Sequence, residues 1–144
     1  MEALFGPELV TKSGVKKTSE VLNGKKAVGI YFSAHWCPPC RGFTPVLAEF
    51  YSDVVAANEN DLEIVFVSSD SDQHAFDEYY GEMPWVSVPF GAEAQNALGT
   101  KYGVRGIPSF IVIDGADGST KDTNGRQTVT SAKGNINAAL SKWK

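Results

Sequence analysis

The sequence predicts an α/β fold, and two observations carry that prediction. Two short apolar runs rich in β-formers, Ala27 to Phe32 (AVGIYF) and Leu62 to Ser68 (LEIVFVS), read as strands buried on both faces. Each is followed by a segment whose apolar residues recur at helical spacing. Strand, helix, strand, helix in that order requires a parallel pair joined by a right-handed crossover. The length of 144 residues, with 42% hydrophobic content, suits a single domain over residues 1–144, residues 1–25 being an N-terminal extension of its fold.

The elements follow along the chain. Leu9 to Thr11 is a short edge strand and Thr18 to Leu22 a helical turn. After the strand at Ala27, Phe43, Val46, Leu47, Phe50, Tyr51 and Val54 place an apolar stripe on a helix from about Pro39 to Ala57. Pro45 should kink it, because proline removes a helical hydrogen bond. Asp70, Ser71 and Asp72 offer an N-cap for a helix from His74 to Tyr80. A connection through Met83, Pro84 and Trp85 leads to a helix from Ala92 to Tyr102. Phe110 to Ile113 is a strand, and the turn residues from Asp114 to Gly118 begin a hairpin. A weaker strand near Thr120 to Thr128 and an amphipathic helix from Ser131 to Trp143 complete the pattern.

Composition narrows the function. A net charge of −4 and a pI near 5.1 argue against nucleic-acid binding, which needs a clustered basic face. The lysine doublets Lys16-Lys17 and Lys25-Lys26 read as solvated surface. No run approaches the ~18 apolar residues of a membrane span, and the N-terminus lacks a secretory pattern. A reducing compartment is expected, with cytoplasmic localisation as the default and the nucleus open.

Both cysteines lie in Ser33 to Phe43, SAHWCPPCRGF. Sulfurs three residues apart at the first turn of a helix face the same way, so they can close a disulfide or separate with little backbone change. Cys37 would stand at the helix N-terminus, where free N–H groups and the positive dipole end favour its thiolate. That makes it the nucleophile. Cys40, one turn inside, would resolve the mixed disulfide. Pro38 and Pro39 remove two backbone donors while presetting φ for a helix start. A zinc site needs about four ligands, and two cysteines with two histidines, His35 too close to the pair, supply it poorly. A permanent disulfide across so short a loop would restrict the unfolded chain little. Redox chemistry without metal or cofactor is the favoured reading.

The stretches YFSAHWCPPCRGFTPVLAEFY, EMPWVSVPF and YGVRGIPSFIVID together resemble the tryparedoxin and nucleoredoxin branch of the thioredoxin superfamily. The resemblance, from Lys26 to about Gly125, implies a thioredoxin fold with a central mixed β-sheet flanked by α-helices. It implies Cys37 as attacking and Cys40 as resolving cysteine, with Trp36 sheltering the pair. It also implies that Pro108 is a cis-proline exposing backbone for substrate pairing, with Trp36, Pro38, Ile107 and Pro108 as the substrate-binding surface. Asp70 falls where relatives keep an acidic residue, either assisting proton transfer from Cys40 or capping a helix. Ordinary thioredoxins carry a buried aspartate where this chain has Tyr31, and a phenol of pKa about 10 is a poor base at neutral pH.

The expected activity is that of a monomeric thiol–disulfide oxidoreductase reducing protein disulfides. Its reductant would be a small dithiol such as trypanothione, serving peroxidases, or a thioredoxin-type partner. The alternative is a redox-gated protein-binding module with incidental reductase activity.

Overall fold

The computed structural model describes residues 1–143. One seven-stranded mixed sheet organises them, and its centre is where the sequence places it. β3 (Ala27–Ser33) and β4 (Leu62–Ser68) pair in parallel over their whole length, Ala27 opposite Leu62 and Ser33 opposite Ser68. Between them runs α3 (Pro38–Ala56) as the crossover. Strands from the rest of the chain complete the sheet in the order β2-β1-β5-β4-β3-β6-β7. These are β1 (Glu8–Thr11), β2 (Gly14–Lys17), β5 (Val86–Ser87), β6 (Ser109–Asp114) and β7 (Thr120–Asp122). β6 runs antiparallel to β3, which makes the sheet mixed.

Alternation along β3 and β4 divides the core into two layers. Tyr31, Ile64, Phe66 and Phe110 face α3, α4 (Gln73–Tyr80), α6 (Gly125–Ser131) and α7 (Ile136–Trp143). Val28, Ile30, Phe32, Val65 and Val67 face the other layer, with α1 (Glu2–Phe5), α2 (Thr18–Val21) and α5 (Glu93–Lys101). Trp85 and Trp143 are wholly buried on the α3 side, edge-on to Tyr31 and Phe110 respectively. Each such side chain contributes on the order of 1.5–3 kcal/mol through burial. Among the described residues no helix is long and apolar enough to cross a membrane.

Three expectations need correction. The strand expected to Thr128 stops at Asp122, and the chain turns into α6. A Cβ at Gly125 would overlap the ring and backbone of Phe110, so this helix starts where only glycine fits against the sheet. The C-terminal helix accordingly begins at Ile136, not Ser131. β1 is interior, because the exposed β2 pairs outside it. α3 runs through Pro45 as one element, and Pro45 and Arg41 lie on its exposed side, where water can take the carbonyl that proline leaves free.

Candidate redox site

β3 ends at Ser33, and four residues later α3 begins with Cys37 as its N-cap. Pro38 and Pro39 occupy the first helical positions and offer no N–H, so the first backbone donor inside the helix is that of Cys40. It donates to Cys37 Sγ at 3.3 Å. The two cysteines are joined as a disulfide with Cα atoms 5.2 Å apart. Cys40 is wholly buried, whereas Cys37 keeps 5% of its surface open. The outer sulfur is therefore the one an incoming group meets first.

Two neighbouring strands frame the pair, as the sheet order demands. On the β6 side, the Ile107–Pro108 peptide is cis and Ile107 O stands 4.0 Å from Cys37 Sγ. Pro108 is buried and Ile107 half-buried. On the β4 side, Trp36 lies over the loop after the strand, its Nε1–H donating to Ser69 O at 3.2 Å. With 61% of its surface exposed, Trp36 flanks the site as a free aromatic face and is no core residue. Pro38 is exposed beside it.

Asp70 is buried and holds the approach to the cysteines in place. Its Oδ1 accepts the His35 backbone N–H at 2.8 Å, and its Oδ2 accepts the Ser68 hydroxyl at 2.8 Å. The helix-capping alternative is corrected: Asp72 caps α4 by accepting Ala75 N–H at 2.8 Å. The His35 ring stacks on Tyr79, 5.4 Å between centroids, with Nε2 3.9 Å from Glu82 Oε2. His74, by contrast, is a surface residue paired with Glu78.

Beneath the pair lies a set of hydroxyls that sequence reasoning missed. Thr44 Oγ1 donates to Cys40 O at 2.9 Å and contacts Tyr31 OH at 2.7 Å and Tyr79 OH at 2.6 Å; Tyr79 in turn meets Ser33 Oγ at 2.6 Å. One proton arrangement satisfies all four: Ser33 donates to Tyr79, Tyr79 and Tyr31 donate to Thr44, and Thr44 donates to the Cys40 carbonyl. Burial pushes the Tyr31 phenol well above its ordinary value, outweighing the opposite effect of the nearby Ser33 and Thr44 hydroxyls. Tyr31 is thus a neutral donor that positions the first turn of α3, not a base. The signal for Thr44 was available as its i+4 spacing from Cys40; Tyr79, on another helix, gave none.

A family model described as thioredoxin-like matches residues 24–120. Nucleoredoxin from Homo sapiens is 46% identical over 114 residues, 78% of this chain and 26% of that protein, so the chain spans about a quarter of that relative's length. Tryparedoxin from Trypanosoma brucei brucei is 43% identical over 122 residues, covering 84% of this chain and 82% of that one. Among solved structures, tryparedoxin II complexed with glutathionylspermidine superposes with a TM-score of 0.81 at 31% identity, covering 89% of this chain and 88% of that one. Cysteine pair, cis peptide, sheet order and these likenesses agree: the chain belongs to the tryparedoxin and nucleoredoxin branch of the thioredoxin superfamily, a family of thiol–disulfide oxidoreductases.

Proposed function

We propose that this domain reduces protein disulfides through Cys37 and Cys40, with Trp36, Pro38, Ile107 and Pro108 as the surface that receives the substrate. The observation that supports it most is the placing of the accessible Cys37 sulfur at the N-cap of α3, beside the backbone carbonyl of Ile107. The Cys40 N–H and the helix dipole favour the thiolate there. In the reduced protein the Cys37 thiolate attacks one substrate sulfur, forming a mixed disulfide and breaking the substrate S–S bond. The freed sulfur leaves as a thiolate and takes a proton. Cys40 then loses its proton and attacks Cys37 Sγ, closing the internal disulfide and releasing the second substrate sulfur. Two electrons pass to the substrate; of the two protons, one derives from Cys40 and one from solvent.

Asp70 acts here by fixing the loop through His35, and Trp36 by shielding the pair on the β4 side. Regeneration falls to a dithiol. The glutathionylspermidine complex of a relative supports a small glutathione–polyamine thiol, such as the dithiol trypanothione, as reductant, and the tryparedoxin resemblance implies peroxidases as downstream targets; the nucleoredoxin likeness supports a thioredoxin-type reductant. Insulin-disulfide turnover with each reductant in parallel tests the reading. Cys37→Ser abolishes turnover and Cys40→Ser accumulates a mixed disulfide visible by mass. Full turnover by Cys37→Ser overturns the assignment.

A further inference from the structure

The chain carries a net charge of −4 and three arginines, Arg41, Arg105 and Arg126. All three belong to segments that border the redox site. Arg41 follows Cys40 directly and its amide bonds Cys37 O at 3.1 Å. Arg105 lies two residues before Ile107 in the cis-proline loop. Arg126, from α6, donates from Nη1 to Pro108 O at 3.1 Å with its guanidinium 5.6 Å from the Phe43 ring centroid. Each is exposed. Among the described residues none forms an ion pair, although Lys26, Lys121 and Lys142 all do. Exposed guanidiniums left without carboxylates on segments bordering a reactive sulfur are free to meet those of a visitor.

Position sharpens this. In the sheet, β3 lies between β4 and β6, so the cis-proline loop carrying Arg105, and Arg126 of α6, which reaches Pro108 O, stand on one side of Cys37. On the other side stand Asp72, at the start of α4, and Glu82, beside His35. The redox face is therefore polar, cationic toward the cis-proline loop and anionic toward α4.

Resting on the reductase reading above, we propose that the preferred substrate is a polypeptide disulfide with acidic residues flanking one side of its cysteine, the side that lies over the cis-proline loop. Exposed charges steer encounter and fix orientation, and salt screens them.

The test uses short peptide disulfides of equal length, either neutral or carrying two Glu or two Lys on the N-terminal or the C-terminal flank. For one flank, kcat/KM for the Glu peptide exceeds that for the Lys peptide about tenfold at ~20 mM salt. The ratio falls below about twofold at ~0.5 M salt. The variant R41E/R105E, at sites without ion pairs, inverts the preference; Arg126 is spared because it also holds Pro108 O. Ratios within twofold on both flanks, Lys preferred on both, or an unaltered preference in a variant shown folded by circular dichroism each overturn the inference alone. Failure of wild type to reduce even the neutral peptide overturns the reductase reading and the inference with it.

Discussion

Replacing Asp70 separates holding the loop from moving a proton. Asp70→Ala leaves the His35 backbone N–H and the Ser68 hydroxyl without the carboxylate oxygens that now accept them at 2.8 Å each. A buried donor that loses its partner costs about 1–3 kcal/mol, and the Ser68 hydroxyl can reorient, so the total is about 2–4 kcal/mol. For a domain of this size that lowers Tm by roughly 5–15 °C. Asp70→Asn keeps an acceptor for His35 N–H and a polar contact for Ser68, so it costs under ~1 kcal/mol. Thermal unfolding by circular dichroism and insulin reduction, run on both variants, decide between the roles. The expected result is an Asn variant near wild type in stability and within about threefold in rate, with the Ala variant clearly worse in both. An Asn variant that is stable yet as slow as Ala would refute the reasoning and make the carboxylate a proton carrier.

Two further outcomes follow from buried polar groups. Thr44→Val removes the acceptor that Tyr31 and Tyr79 share and one of the two donors to Cys40 O, leaving the Tyr31 hydroxyl at 3.2 Å as the other; urea unfolding should show a loss of about 1–3 kcal/mol, more than a Thr-to-Val change on the surface. Asp122 titrates below the usual carboxylate range: burial works against this, but hydrogen bonds from Thr128, Trp143 and Asn124, with Lys142 nearby, outweigh it. A carboxyl depressed on folding stabilises the protein above its unfolded pKa of about 3.9 and loses that contribution as pH falls through the folded value. Asp122→Asn is therefore expected to be less stable than wild type at pH 7, with the gap closing below about pH 4 in urea titrations.

Periodicity made the sheet centre and α3 legible, since β3, β4 and α3 bury apolar residues in patterns that few other structures share. Cys37 and Cys40 were legible for the same reason, as spacing and helix start define their chemistry locally. Residues whose role is set by the fold were not. α6 reads as Arg126-Gln127-Thr128-Val129-Thr130, a run with β-formers and no side-chain cap, and it is helical because Val129 packs on the α3 layer and Gly125 meets Phe110. β2 is exposed throughout and shows no buried face to detect. Asp70 was located, yet its partner, the His35 amide 35 residues away, exists only once β3 and β4 lie side by side. The same holds for Arg126, whose hold on Pro108 depends on α6 reaching the cis-proline loop.

The most direct test is the pH dependence of iodoacetamide alkylation of the fully reduced protein, with Cys40→Ser isolating the outer sulfur. An N-cap thiol that accepts the Cys40 N–H at the positive end of α3 should react with a midpoint well below the ordinary ~8.5, within the range of about 3.5–7.5 known for such sites. A midpoint at or above ~8.5 would show that the helix end does not stabilise the Cys37 thiolate and would contradict the mechanism.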